Sequence, residues 1–273
     1  MNKNNGIPAM LYQEFECCPG LSSAVLCYWK FEVGPSPDPT PSFTHFIMPD
    51  GAPSLVVFSL PAHKVTATAL QGPTKRVTEK DVFYNSKTMG IRLRPGIIHS
   101  LGYKHGGDLR DQTIAPAPVS GELDLTALSP LLNDDTAWTE WLNTKLTQLE
   151  WGEKATKAKS VITLAAQRIM QSAGTLSIRE LTDALPLSER QLQKRFREEV
   201  GLTMKEFAMT MRLRDGIINL EYQQQSYQDV VNNKGYFDQA HFIRDFSRVS
   251  AIPLPDFKRY VRRIEHKNLN FRK

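Results

Sequence analysis

The stretch Ser177-Ile178-Arg179-Glu180-Leu181-Thr182-Asp183-Ala184-Leu185-Pro186-Leu187-Ser188-Glu189-Arg190-Gln191-Leu192-Gln193-Lys194-Arg195-Phe196-Arg197-Glu198-Glu199-Val200-Gly201 decides the fold of this chain. Ser177 followed three positions later by Glu180 is the pattern of a capping box, and Ile178, Leu181 and Leu185 supply one apolar face of the helix it opens. Pro186 forbids continuation of that helix, and Ser188 opens a new one as a second N-cap. On the new helix Leu192, Phe196 and Val200 recur every fourth residue and face inward. Arg190, Gln193, Lys194 and Arg197 fall on the opposite side, and Gly201 ends the helix in the C′ position. The spacing predicts a short helix, a tight turn and a helix that presents four long donors on one face.

The same logic repeats further on. Ser226 caps a helix through Asn233, Gly235 makes a turn, and Asp238 caps a helix whose Phe242 and Phe246 point inward while Gln239, His241 and Arg244 point out. Between the two units, Lys205 to Glu221 is a long helical stretch whose Phe207, Met211, Ile218 and Leu220 are available for packing, which would hold the units at a fixed separation. These residue types suit a nucleic acid. Arg and Lys reach guanine O6 and N7 or a phosphate, Gln bonds adenine bidentately, and the major groove is wide enough to admit a helix. Any small helical bundle shows apolar i, i+4 positions and a charged face, so one such unit weighs little. Two in tandem, both capped, weigh much more.

Charge agrees with that reading. The whole chain carries +5, but residues 151–273 hold 22 Lys+Arg against 14 Asp+Glu, a net of +8, leaving 12 against 15 in residues 1–150. A basic half joined to a mildly acidic one suggests that the C-terminal part alone meets a polyanion. At 273 residues and 41% hydrophobic content the chain can bury a core in each of two domains. Met1 to Gly20 shows no apolar run with a cleavage pattern, and Leu55–Leu60 is far too short to span a bilayer, so a soluble cytoplasmic protein without membrane contact is expected. Cys17, Cys18 and Cys27 lack the spacing of a zinc site and read as reduced structural thiols, with redox sensing by the adjacent pair as the rarer alternative.

From Leu26 to Leu101, short runs rich in Val, Phe and Ile alternate with turn chemistry at Pro49-Asp50-Gly51 and Arg94-Pro95-Gly96, which predicts a small barrel or sandwich. Leu55-Val56-Val57-Phe58 suits a buried strand, and Ile91-Arg92-Leu93-Arg94 places its two arginines on one face. The proline-rich run 35–41 is expected to be an exposed loop. Trp138, Leu142, Leu146 and Leu149 mark an amphipathic helix around Thr136 to Trp151 that packs on its own domain or on another subunit.

Gly235-Tyr236-Phe237-Asp238-Gln239-Ala240-His241-Phe242-Ile243-Arg244-Asp245-Phe246 resembles the signature of the AraC/XylS family of bacterial transcription regulators, and Leu176 to Gly201 with Phe207 and Arg212 fits the same pattern. The resemblance covers roughly residues 160–263 and implies two recognition helices entering successive major-groove segments, with Ser188, Arg190, Gln193, Lys194 and Arg197 in the first unit and Gln239, His241 and Arg244 in the second as DNA-binding residues. Lys234, Val231 and Ala251 depart from the pattern, which has an apolar residue, a small alanine and a second glycine at these places. In the N-terminal half, Met48-Pro49-Asp50-Gly51, Gln71-Gly72-Pro73-Thr74 and Ile91-Arg92-Leu93-Arg94-Pro95-Gly96 resemble a cupin-like sensor domain, which in relatives binds small effectors or mediates dimerisation.

The expected protein is therefore α+β in two domains: a β-rich cupin-like barrel over 1–125, a helical linker over 126–158 and an all-α DNA-binding domain with two helix-turn-helix units over 159–265. Tyr84, Arg92, Arg94 and His99 are the candidate effector residues, subject to strand register. The resemblance implies double-stranded DNA as the partner, and it admits a small effector, RNA polymerase and a second copy of the chain. The rival reading is a metal-dependent cupin-type enzyme fused to a nucleic-acid-binding domain. It needs a cluster of histidines and a carboxylate, but His45, His63, His99 and His105 are scattered, so no metal site, cofactor or catalytic residue is expected. A second rival, an adaptor that binds an acidic protein through basic helices, would not need two capped recognition helices.

Overall fold

Short runs of β-branched and aromatic residues form strands because their side chains pack well on a pleated surface, and alternation assigns successive residues to opposite faces. The computed structural model describes residues 8–36, 41–60, 63–103, 106–116, 123–157 and 160–269. Its strands are β1 (Met10–Phe15), β2 (Val25–Val33), β3 (Ser42–Ile47), β4 (Ser54–Leu60), β5 (Val65–Gln71), β6 (Thr78–Phe83), β7 (Lys87–Leu93), β8 (Thr113–Ile114) and β9 (Ile264–Lys267). Seven of them make one sheet in the order β8-β5-β4-β7-β2-β1-β9, while β3 and β6 pair with each other as a separate ribbon. His105, residues 37–40 of the proline-rich run and the expected boundary at 158–159 between linker and DNA-binding domain lie outside the described residues.

Both faces of the large sheet are used. Tyr28, Leu55, Val57, Met89, Ile91 and Leu93 point to one side, where they join a core with the segment after the sheet. That segment includes α1 (Ile97–Ser100), α2 (Asp135–Gln148) and α3 (Trp151–Lys157). Asp134 caps α2 by accepting from the backbone N–H groups of Thr136 and Ala137. Trp138, Leu142 and Leu146 then recur at i, i+4 and i+8 and are buried, with the Trp138 ring edge-on to Phe15 at 5.0 Å. Tyr28 donates to Asn143 Oδ1 at 2.9 Å, and Lys30 reaches Asp135 at 2.6 Å. The stretch read as a linker thus packs against the sheet as part of the N-terminal core.

The expected closed barrel is corrected to an open sheet with β8 and β9 at its edges. The physical reason is the occupant of the β1 edge. β9, from the far end of the chain, pairs there in parallel, with Met10 opposite Ile264 and Gln13 opposite Lys267. β3 and β6 pair with each other, from Ser42 opposite Phe83 to Ile47 opposite Thr78, and lie over the second face of the sheet.

The C-terminal half contains α4 (Val161–Gln171), α5 (Ile178–Asp183), α6 (Glu189–Val200), α7 (Met204–Glu221), α8 (Tyr227–Lys234), α9 (Gln239–Val249) and α10 (Leu254–Val261). Leu181, Leu192, Phe196, Val200, Phe207 and Met211 build the core of the first unit. Phe242, Phe246, Val230 and Phe257 build the second, and this core runs on into Met10, Phe31, Val33 and Val82 of the N-terminal half. The turn at Gly51 presses directly on the Phe207 ring. A Cβ there would lie 2.6 Å from that ring, and the backbone φ of +66° also favours glycine.

Cys17, Cys18 and Cys27 are free thiols. Burial pushes the Cys17 thiol up to about 11 and the Cys27 thiol to about 12, so both stay protonated and unreactive near neutrality. Among the described residues no helix is long and apolar enough to cross a membrane.

Candidate nucleic-acid interface

Each of four helices in the C-terminal half starts with a reciprocal capping box: Ser177 with Glu180, Ser188 with Gln191, Thr203 with Glu206 and Ser226 with Asp229. The hydrogen bonds from Ser177 and Ser226 hold the Glu180 and Asp229 carboxyls below the usual range. Ser188 is engaged in its own box, where its N–H and hydroxyl both donate to Gln191 Oε1. Gly201, at φ +88°, ends α6 and donates to Arg197 O at 3.1 Å, closing the helix with a left-handed residue.

On α6 the inward and outward faces fall where the sequence puts them. Leu192, Phe196 and Val200 are buried, and Arg190, Gln193, Lys194 and Arg197 are exposed. Gln193 donates to Glu189 at 2.8 Å and Lys194 lies 3.9 Å from Glu198, contacts on an open surface that water and DNA can replace at little cost. Beside this face the short 3₁₀ turn Gly106–Leu109 of the N-terminal half closes in. Gly107 and Asp108 form one wall of a groove of about 660 Å³ whose other wall is Arg190, Gln193, Lys194 and Arg197. The turn fits tightly, since a Cβ on Gly106 would meet Glu199 O at 2.6 Å.

On α9, Gln239 and Arg244 are exposed, and Arg244 lies 4.0 Å from Asp238. His241 is turned toward its own domain. Its Nδ1 accepts the Phe237 N–H at 3.3 Å, its Nε2 lies 3.7 Å from the buried Asp245, and its ring packs edge-on against Tyr236 at 5.3 Å. Phe237, Ala240 and Ile243 are exposed beside Gln239 and Arg244, although only polar residues stood out in the sequence. Their spacing of three was the available signal. The departure at Lys234 also has a partner: the ammonium is buried against Asp215 of α7, which accepts from Asn219 at 2.8 Å.

A cavity of about 830 Å³ lies between the second face of the sheet, the β3–β6 ribbon and the C-terminal half. Trp29, Phe31, Val56, Phe58 and Ile264 line it from the sheet, and Ile217 and Phe257 from the helical side. At one wall four charges meet: Arg92 contacts Glu14 at 2.6 Å and Asp50 at 2.7 Å, while Arg214 of α7 reaches Asp50 at 3.5 Å. Tyr12 lies among them, and burial raises its phenol well above the usual value, so it stays neutral. Burial likewise holds the His45 imidazole down to about 4, and this ring stacks on Phe31 and hydrogen-bonds Tyr260 of α10. Arg92 lines the cavity. Tyr84 packs on Phe43, Arg94 bonds the Ser22 carbonyl and His99 is exposed on α1, and none of these three lines it. Among the described residues no group of three or more His, Cys, Asp or Glu side chains is arranged to hold a metal ion.

A capped helix, a tight turn and an exposed second helix, built twice on one basic domain, define a helix-turn-helix DNA-binding protein. A helix-turn-helix domain family matches residues 181–260, and a family described as a domain of unknown function (DUF6597) matches residues 13–115. The C-terminal part therefore carries a helix-turn-helix domain over residues 181–260. No curated protein matches the sequence. Among solved structures, ToxT from Vibrio cholerae is similar at 12% identity and a TM-score of 0.43, over 81% of this chain and 99% of that one. ToxT bound to (E)-4-(8-methylnaphthalen-1-yl)but-3-enoic acid gives 10% and 0.46, over 93% of this chain and 99% of that one. Unsaturated fatty acid-bound ToxT gives 12% and 0.41, over 94% and 96%.

Proposed function

We propose that this chain is a sequence-specific regulator whose grip on DNA is set by a small molecule in the cavity between its two halves. The observation that carries the reading is the four-charge wall, where Arg92 and Glu14 of the sheet share contacts with Arg214 of α7, the helix that separates the two recognition helices. A ligand against that wall touches both halves at once. A second route runs through one chain segment: Asp111, Gln112 and Thr113 line the cavity, and Gly106–Leu109, just before them, pack on α6.

The cavity lies within the range of roughly 300–1,000 Å³ used by small-molecule sites. Its apolar walls, neutral His45 and internally balanced charge cluster suit an amphipathic organic molecule with a large apolar body. We place the sensor in residues 1–125, braced by 126–158, and the DNA-binding domain in 159–265. Arg190, Gln193, Lys194 and Arg197 read the DNA in the first unit, with Ser188 fixing the start of their helix. Gln239 and Arg244 act in the second, with His241 holding the turn.

The test uses the amphipathic dye 1-anilinonaphthalene-8-sulfonate with the full-length protein and a duplex selected from a random library. Saturable dye binding and a several-fold change in DNA affinity are expected. Ala69→Phe, which fills the cavity from β5, is expected to abolish both responses. Equal DNA affinity with and without bound dye refutes ligand control.

A further inference from the structure

Phe237 is 89% exposed, while the next large apolar side chain among the described residues, Val65, is 45% exposed. Phe237 sits just before Asp238, the N-cap of α9. A hydrophobic residue at that place ordinarily staples onto the fourth helical residue, here Phe242. In this protein Tyr236 covers Phe242 instead, edge-on at 5.1 Å, and Phe237 is left outside. The turn is nevertheless held firmly: the Phe237 N–H donates to His241 Nδ1, and the His241 N–H donates to Asp238 Oδ1 at 2.6 Å. A large ring is thus presented to solvent by a turn that does not need it.

Ala240 and Ile243 continue the same stripe at intervals of three, both exposed, with Gln239 and Arg244 on its flanks. The first unit's outward face has no counterpart, since Arg190, Gln193, Lys194 and Arg197 are all long and polar. In the major groove the thymine C5-methyl is the apolar group that a base edge offers, and alanine and phenylalanine side chains contact it. Glutamine beside such a stripe pairs with adenine.

We propose that the second unit reads thymine methyl groups through Phe237, Ala240 and Ile243, with Gln239 taking a neighbouring adenine, so that the two units recognise half-sites of different composition. The proposal rests on the DNA-binding reading of α9. It commits to DNA rather than to a protein partner because the stripe is continuous with Gln239 and Arg244 at the start of the recognition helix.

The experiment selects duplexes from a random library with the full-length protein and with Phe237→Ala, then replaces each thymine of the wild-type site by deoxyuridine in turn. One or two replacements in one half-site are expected to weaken wild-type binding about fourfold each, the worth of one buried methyl-sized group. Phe237→Ala is expected to bind about tenfold more weakly, to ignore those replacements and to select sites lacking those thymines, because the ring's apolar contact is lost. Its melting temperature should be unchanged. Deoxyuridine without effect at every position overturns the proposal, as does a Phe237→Ala variant that binds the same site normally while losing activation of transcription, which would assign the ring to a protein partner. Failure of the wild-type protein to select any sequence would instead overturn the DNA-binding reading itself.

Discussion

Lys234→Met removes an ammonium from the interior of the second unit and leaves its carboxylate behind. Lys234 and Asp215 are 8% and 7% exposed, and the pair joins the end of α8 to the middle of α7. Breaking a buried pair by deleting one partner costs about 3–5 kcal/mol, because the remaining charge is uncompensated. Asn219 still donates to Asp215 at 2.8 Å, which keeps the loss near the lower end, about 3 kcal/mol. For a chain of this size that lowers the melting temperature by roughly 6–12 °C. Adding Asp215→Asn to the same variant removes the carboxylate that faced Lys234 and should recover stability to within about 1 kcal/mol of wild type. Thermal melting and urea titration of the two variants measure this directly. A single variant that loses less than about 1 kcal/mol, or a double variant no better than the single, would refute the buried pair as the compensation for this polar residue.

Other perturbations separate reading from gripping and probe the contact between halves. Arg190→Ala or Gln193→Ala should cost about 1–3 kcal/mol on the selected site and relax preference at one or two base pairs, whereas Arg244→Ala should weaken all sequences alike and lower the salt slope by about one. Asp108→Lys puts a positive charge on the wall facing Arg190 and Lys194, and it should raise affinity for any duplex and steepen the salt slope by about one if that wall meets a phosphate. An unchanged slope places the loop clear of the DNA. His45 stays neutral in the fold down to about 4, while an unfolded histidine titrates near 6.5, so its contribution is full above pH 6.5. As pH falls from 6.5 to 4 the unfolded chain takes up the proton first, and up to about 3 kcal/mol of stability is lost. Urea titrations across that window should show the slope in wild type and a shallower one in His45→Gln, the remainder coming from groups such as His266, which burial also holds below the usual value.

The recognition helices were legible because local rules agree there. The serine caps, Pro186 and the fourfold spacing of Leu192, Phe196 and Val200 all specify the same element. The same holds for Trp138, Leu142 and Leu146, and for Ile91 and Leu93, which share the face away from Arg92. What escaped depends on distant partners. Ile264–Lys267 is four residues long, and nothing local says that it will pair with Met10–Gln13 at the other end of the chain and block barrel closure. Arg94 was grouped with Arg92 by alternation, but β7 ends at Leu93, and the turn through Pro95 and Gly96 sends its guanidinium to Ser22. The cavity was placed inside the N-terminal domain, whereas Arg214, Ile217 and Phe257 bring the helical half into its wall. Phe237, Ala240 and Ile243 offer no polar donor, so only their spacing of three marks them as one outward stripe at the start of α9.

Two unlike recognition helices together select one DNA sequence in the function proposed for this protein. Equilibrium binding of the full-length protein to its selected duplex and to a scrambled duplex of equal composition, between 50 and 200 mM salt, tests it most directly. A preference of roughly 10³-fold or more for the selected duplex is expected, with a steep loss of affinity with salt on both. Equal affinity for the two duplexes, or binding that does not change with salt, would contradict it.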